Sequence, residues 1–310
     1  MFPSSGMKKA RYISCFLFLG SLLCLAEAKA QDYERIDSLK YALSKTEIPE
    51  KKISTLLALS REFEIFNSDS ALLYADHALA VSEQNDLTKE KVNAMLQKGR
   101  MLMQLIDYNK ALESFETVIK LADKYKMTNE IAIANGAIGI IYAELGDYDN
   151  SAKYNFTALE LFEKVGNKKE IGVTLGNIAA DLHSQKNYKK ALDYMNEALN
   201  IAREINDKPG IAQQYNNIAG VYYASYKDYK KAKGYYEKAY SVNKDLGDKL
   251  QLGMNMLNIG YCYFRLNKND SALPYFEHSG SIFREIANPI RIANVEIGGC
   301  EEFCVNSNCV

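Results

Sequence analysis

Between Ile131 and Leu145, and again between Tyr148 and Val165, apolar residues return every three or four positions with no proline among them. That period predicts two amphipathic helices, and Gly146-Asp147 predicts the break between them. The pair then recurs: LGDYDNSAKYNFTALELF at 145–162 comes back forty residues later as QKNYKKALDYMNEALNIA at 185–202. Anchored on Tyr148, the beat runs Ser68, Tyr108, Tyr148, Tyr188, Tyr229, Asn269. Three positions beyond each anchor stands a small residue (Ala71, Ala111, Ser151, Ala191, Ala232, Ala272), and seven beyond that another short one (Ala78, Val118, Ala158, Ala198, Ala239, Ser279). Tyr229 arrives one residue late, and because Ile138, Ile178 and Ile218 keep the beat, the extra residue belongs to the turn between Tyr223 and Asp228.

Each unit therefore reads as a helix hairpin. Breaks between hairpins fall on Gly166-Asn167, Asn206-Asp207, Gly247-Asp248 and Asn288-Pro289, where Gly or Asn can end one helix left-handed and Asn or Asp can cap the next. The small columns are expected where two helices of a hairpin cross closely, and Tyr148 and its equivalents are expected to plug that crossing.

Ile138-Gly139-x-x-Tyr142, Gly146-Asp-Tyr148, Ala191-Leu-Asp-Tyr-Met195 and Ala198 together resemble the tetratricopeptide repeat. The resemblance covers six units from about 52 to 290 and implies an all-α fold, a right-handed superhelical α-solenoid of stacked helix-turn-helix hairpins. The forty-residue period and Asp-Lys-Pro-Gly-Ile-Ala at 207–212 are similar to the longer-helix variety of the family. The chain departs from the pattern in having no Trp, in placing Lys98 at an apolar position, and in a first unit one residue short in its turn. The organisation expected is a secretory signal at 1–30, a lead-in helix at 31–51, six repeats at 52–290, and an incomplete seventh repeat with an irregular Cys-containing tail at 291–310. A length of 310 residues would suggest about two domains, but a stacked array needs no second core and reads as one solenoid.

Composition changes the picture at the ends. Met7-Lys8-Lys9-Ala-Arg11, an uncharged run from Tyr12 to Ala26, and Ala28-Lys29-Ala30 before Gln31 have the order of a secretory signal, with an apolar stretch too short to span a bilayer comfortably. Removing 1–30 leaves 34 basic against 38 acidic side chains, which gives no electrostatic reason to hold nucleic acid. Hydrophobic residues at 47% set the chain apart from disordered sequences. After Glu301 the beat stops, and Cys300, Cys304 and Cys309 crowd the tail, a change of character expected of a truncated or frame-shifted reading of a longer protein. The three His, at 77, 183 and 278, fall in different units, so no metal site is expected.

The sequence offers no phosphate loop, no His-Glu-x-x-His and no Gly-x-Ser-x-Gly, so neither an enzyme nor a cofactor is expected. The resemblance implies instead an exported scaffold that binds a protein or extended peptide along its first helices. Exported arrays of this style resemble the periplasmic sensing part of signalling proteins with a histidine-kinase or DNA-binding output; the alternative is a free-standing envelope scaffold. Membrane contact is expected only through the signal or a downstream helix. In the family the first helices line the concave side. One residue before each Ile column stand Asn177, Asn217 and Asn258, with Gln97 in the second unit and Ala137 interrupting. Such amides can pair with a peptide backbone without reading its side chains, or can bond within the array. Further along the same helices lie Arg100, His183, Tyr223, Tyr261, Phe264 and Arg265, side-chain types that anchor binding surfaces. Gln104, Glu144, Ser184 and Ala224 stand where a basic clamp for a terminal carboxylate would need lysines, so an internal segment is the expected ligand. Asn155-Phe-Thr157 and Asn269-Asp-Ser271 match the glycosylation triplet.

Overall fold

A computed structural model describes residues 34–64 and 67–286. Residues 1–30, expected to be a secretory signal, the tail with its three cysteines, and the Asn288-Pro289 break lie outside the described residues. Among the described residues the regular structure is entirely helical. They fall into two compact units, Asp32–Ile205 and a second one from Asn206 onward. The repeat period is blind to this division, because the columns run through it unchanged.

In the first unit, helix α1 (34–45) precedes the hairpins α2 (Pro49–Phe63)/α3 (Ser68–Gln84), α4 (Thr88–Gln104)/α5 (Tyr108–Lys124), α6 (Thr128–Glu144)/α7 (Tyr148–Val165) and α8 (Lys168–Ser184)/α9 (Tyr188–Glu204). The lead-in is thus a helix of its own, joined to α2 by the Arg35–Glu62 ion pair at 2.9 Å. α2 opens at Pro49, three residues before the expected start of the repeats, because proline's fixed φ and missing N–H suit the first helical turn. Consecutive helices pack on one another, and α4 also touches α2 and α6, as α6 does α8. The first helices of successive hairpins therefore form one layer. The second unit contains α10 (Lys208–Ala224)/α11 (Tyr229–Leu246) and α12 (Lys249–Arg265)/α13 (Asn269–Glu285), again packed in chain order.

Turn chemistry explains where helices end. Gly146, Gly166 and Gly247 adopt φ of 77°, 73° and 70°, and Asn206 adopts 54°. Asp147, Asn167, Asp207 and Asp248 then cap the following helix, each side chain accepting the backbone N–H three residues on. The extra residue of the fifth unit sits in the turn as expected: Ser225 to Asp228 separates α10 from α11, where Gln185 to Asn187 separates α8 from α9.

Every member of both small columns is buried. The tyrosine anchors do not plug the crossings, however. Tyr108, Tyr148, Tyr188 and Tyr229 are half-buried first residues of their helices. Their rings sit at the turn: those of Tyr188 and Tyr229 lie 5.3 Å from His183 and Tyr223 of the preceding helix. The crossing is filled from seven residues further on: Phe115 lies over Gly99, Asn155 over Gly139 and Phe276 over Gly260, so closely that an added Cβ would fall 2.7 Å from each.

Candidate functional site: the face of the first helices

The amide column divides into residues that serve the fold and residues that do not. Gln97 is only 4% exposed. Its Nε2 donates to Ser60 Oγ at 3.2 Å, and that hydroxyl donates to the Ala71 carbonyl at 2.8 Å. Gln97 thereby ties α4 to α2 and is not presented to a ligand. Lys98, which follows it, extends to Asp76 at 2.8 Å, so a charged residue fits this apolar column by reaching the rim. Asn177 in the first unit and Asn217 and Asn258 in the second are half-buried, and among the described residues their side chains make no hydrogen bond within the protein. The alternative that these amides bond within the array is met by different residues. Asn255 Nδ2 donates to Asn216 Oδ1 at 2.6 Å, and Asn243 Nδ2 donates to Asn255 Oδ1 at 2.8 Å. This chain of three amides links α10, α12 and α11 beside the Asn217 and Asn258 positions. The sequence reading missed it, although the paired Asn216-Asn217 and the Asn at 255 were visible.

The remaining candidates separate by unit. In the first unit Arg100 is exposed on α4, and the half-buried His183 of α8 lies with its ring 5.3 Å from that of Tyr188, tilted by 50°. In the second unit Tyr223 at the end of α10 meets Tyr229 edge-on at 5.3 Å, and the Arg265 guanidinium of α12 sits 5.9 Å from the Tyr229 ring centre. The turn that admits the extra residue thus brings two tyrosines and an arginine together. Tyr261 packs edge-on against Phe276 at 5.2 Å, and Phe264 packs in the same cluster with Leu257 and Phe283. These two thus pack within the hairpin, while Tyr223, Tyr229 and Arg265 meet at the turn.

A second band in this unit was not singled out from the sequence. Tyr222 stacks on Tyr235 at 5.7 Å, and Lys238 lies over Tyr235 at 4.7 Å. Tyr263 stacks on Tyr275 at 5.4 Å, with Lys233 over Tyr263 at 5.0 Å. Lys233 also pairs with Glu237 at 2.8 Å, and the hydrogen bond from its ammonium holds its pKa above the usual lysine range. The alternation Tyr-Lys-Lys-Ala-Lys-Gly-Tyr-Tyr at 229–236 was the available signal.

Nothing in this region is arranged for nucleophilic chemistry. Burial pushes the Cys262 thiol up to about 12, which keeps it a neutral packing group beneath Tyr236 and Ala232. Among the described residues no cluster of His, Cys, Asp or Glu could hold a metal ion. None of the helices described is long and apolar enough to cross a membrane. The two glycosylation triplets differ: Asn155 is buried, while Asn269 is half-buried at the start of α13.

Comparison with known proteins places these features. Residues 129–204, 170–245 and 210–285 match the family model described as tetratricopeptide repeat, and residues 26–156 match that of the SusR N-terminal TPR domain. No curated protein matches the sequence. Among solved structures, the apo form of RapI aligns with a TM-score of 0.60 at 20% identity, over 88% of this chain and 98% of that one. A Rap protein complexed with Competence and Sporulation Factor aligns at 0.61 and 17% identity, over 88% and 75%. The apo form of the quorum sensor NprR from B. thuringiensis aligns at 0.63 and 15%, over 94% and 82%. At such identities the likeness is one of fold.

Proposed function

Because the chain belongs to the tetratricopeptide repeat family, we propose that it is a binding scaffold whose first helices take up a segment of another protein or an extended peptide. The observation that carries this reading is the pair of half-buried amides Asn217 and Asn258 in the second unit, which have no hydrogen-bond partner among the described residues; Asn177 in the first unit is in the same state. A half-buried amide has lost part of its water and gains most from a ligand that supplies both a donor and an acceptor, as a peptide backbone does. Tyr223, Tyr229 and Arg265 supply the aromatic and cationic anchor beside that ladder in the second unit. A Rap protein complexed with Competence and Sporulation Factor shares this fold, which supports reading the array as one that holds a partner.

The finer reading is an exported sensing segment of a signalling protein. The match of residues 26–156 to the N-terminal repeat domain of SusR supports it, as does the order of charges and apolar residues in 1–30. Neither a cofactor nor catalysis enters this reading; binding is the activity.

The test is a double substitution, Asn217→Ala with Asn258→Ala. Partners are captured on the immobilised wild-type protein from an envelope extract of the source cells, and the affinity of each purified partner is then measured calorimetrically. The double variant, shown by circular dichroism to retain its helices, is expected to bind about 1–3 kcal/mol more weakly, the net worth of two amide hydrogen bonds. Unchanged affinity in a folded double variant moves the site off this face.

A further inference from the structure

One joint between hairpins is built unlike the others. Where the second helix of one hairpin meets the first helix of the next, three positions interlock. On α5 and α6 they are Ala111, Phe115 and Ile141; on α11 and α12 they are Ala232, Tyr236 and Cys262, and both sets are buried in apolar clusters. On α7 and α8 the same three positions hold Ser151, Asn155 and Asp181. All three are buried, with Asp181 only 5% exposed. Ser151 Oγ donates to Asp181 Oδ2 at 2.6 Å, and Asn155 Nδ2 donates to the same oxygen at 3.2 Å and to Ser151 Oγ at 3.1 Å. A carboxylate has been placed in a column that elsewhere holds Met101, Ile141, Val221 and Cys262, together with the two donors that face it.

We propose that the contact between α7 and α8 is a proton-linked joint in the array, tight when Asp181 carries a proton and loosened when it is ionised. Two independent observations support the direction. The cluster lacks a donor: Asn155 Oδ1 is buried with no hydrogen-bond partner. A protonated carboxyl adds one O–H donor, which an ionised carboxylate cannot supply. The second observation is the surroundings of Asp181. α8 packs on α6, α7 and α9. The titratable side chains along this stretch are Tyr142 and Glu144 of α6, the cap Asp147 and Tyr148, Asp149, Lys153 and Tyr154 of α7, His183 of α8, Lys186 in the turn, and Tyr188, Lys189 and Lys190 of α9. None of them sets its titration: burial holds the carboxyl above the usual carboxylate range, and the hydrogen bonds from Ser151 and Asn155 act in the opposite sense without cancelling it. Among the described residues no buried cation compensates the charge.

The sign follows from linkage. With the carboxyl's pKa raised in the closed joint, the closed form holds the proton where the opened form has released it. Stability of the joint is therefore greatest in acid, falls as the pH rises from the ordinary carboxylate range through the raised value, and is level above it. This joint lies in the first unit, whereas the substitutions that test ligand binding lie in the second.

Hydrogen exchange of the full chain, followed by mass spectrometry from pH 4 to pH 8 and divided by the intrinsic rate at each pH, reads the joint directly. Peptides from 148–184 are expected to show an opening constant that rises by up to about tenfold per pH unit across the titration and then levels. Peptides from α4 and α5 serve as the internal reference and are expected to lack that rise. In Asp181→Asn the rise is expected to disappear. A triple variant, Ser151→Ala with Asn155→Phe and Asp181→Ile, copies the α5–α6 joint, and is expected to give a flat profile with slower opening at pH 8. A flat wild-type profile, an equal rise in α4 and α5, or an undiminished rise in Asp181→Asn would each overturn the proposal. Should Asp181→Asn fail to fold, the wild-type profile and the triple variant decide the matter.

Discussion

Ile106 holds a left-handed backbone, φ 60°, in the turn where the next hairpin has Gly146 at 77°. An L residue there brings Cβ against the carbonyl, at roughly 1–2 kcal/mol, and a branched side chain is the least suited to it. The side chain recovers little in exchange, being 72% exposed. Glycine loses about 0.5–1 kcal/mol of this gain through its looser unfolded state. Ile106→Gly is therefore expected to stabilise the protein by about 0.5–1 kcal/mol, read as a higher urea midpoint at unchanged slope; a lower midpoint would show that the isoleucine packs in solution. Carboxylates at this scale act in two directions. Asp107, Asp147 and Asp228 cap helices, and hydrogen bonds from Lys110, Asn150 and Lys231 hold them below the usual carboxylate range. Their contribution is present above that range and is lost as the pH falls through their lowered values, opposite in sign to that of Asp181. The cap residues could be read from the sequence because a cap is a local hydrogen bond three residues long. Asp181 could not: its meaning depends on Ser151 and Asn155, on another helix thirty and twenty-six positions away.

Between helices, the unit of stability is the crossing. The small columns were legible because a close approach favours short side chains, Ala or Ser at eleven positions of twelve with Val118 the exception, and all twelve are buried. What fills the gap was not legible: seven residues beyond each anchor stand Ala75, Phe115, Asn155, Met195, Tyr236 and Phe276, a column too varied in kind to stand out beside the tyrosines. A different difficulty affected the amide ladder: Gln97 occupies the column of Asn177 and Asn217, but its extra methylene lets it reach Ser60 on the preceding hairpin. Two glycines measure the crossing. A Cβ at Gly99 would lie 2.7 Å from the Phe115 ring, whereas one at Gly234 would meet nothing within 4 Å. Both lie within helices. Gly99→Ala is expected to cost about 1–3 kcal/mol through overpacking, and Gly234→Ala to add up to about 1 kcal/mol through helix propensity. Chemical denaturation of the two variants checks both signs, and two shifts of the same sign would contradict the assignment of Gly99 to a close crossing.

Within each unit these contacts add up along the array, because neighbouring hairpins pack on one another and stacked hairpins have no single core to distribute damage. Ala198 is buried on α9, with its carbonyl close to Gly172 of α8. Ala198→Phe is expected to cost about 1–3 kcal/mol, while Lys189→Ala on the exposed side of α9 stays within about 0.5 kcal/mol. Hydrogen exchange in the first variant is expected to quicken in α8 and α9 before α2 and α3; uniform quickening would mean that the first unit unfolds as one cooperative body. Export, proposed from 1–30 alone, belongs to this scale as well. Met7-Lys8-Lys9 precedes an uncharged run ending at Ala26, and Ala28 and Ala30 set small residues at the positions a signal peptidase reads. The run is shorter than the roughly 20 apolar residues a spanning helix needs, so cleavage rather than anchoring is its expected fate. The mature chain is then expected to begin at Gln31 and to carry 34 basic against 38 acidic side chains in the sequence given. Intact mass spectrometry of the envelope fraction reads that terminus to the residue. A soluble cytosolic species that keeps residues 1–30 would remove the export proposal, while leaving the array and its binding face as they stand.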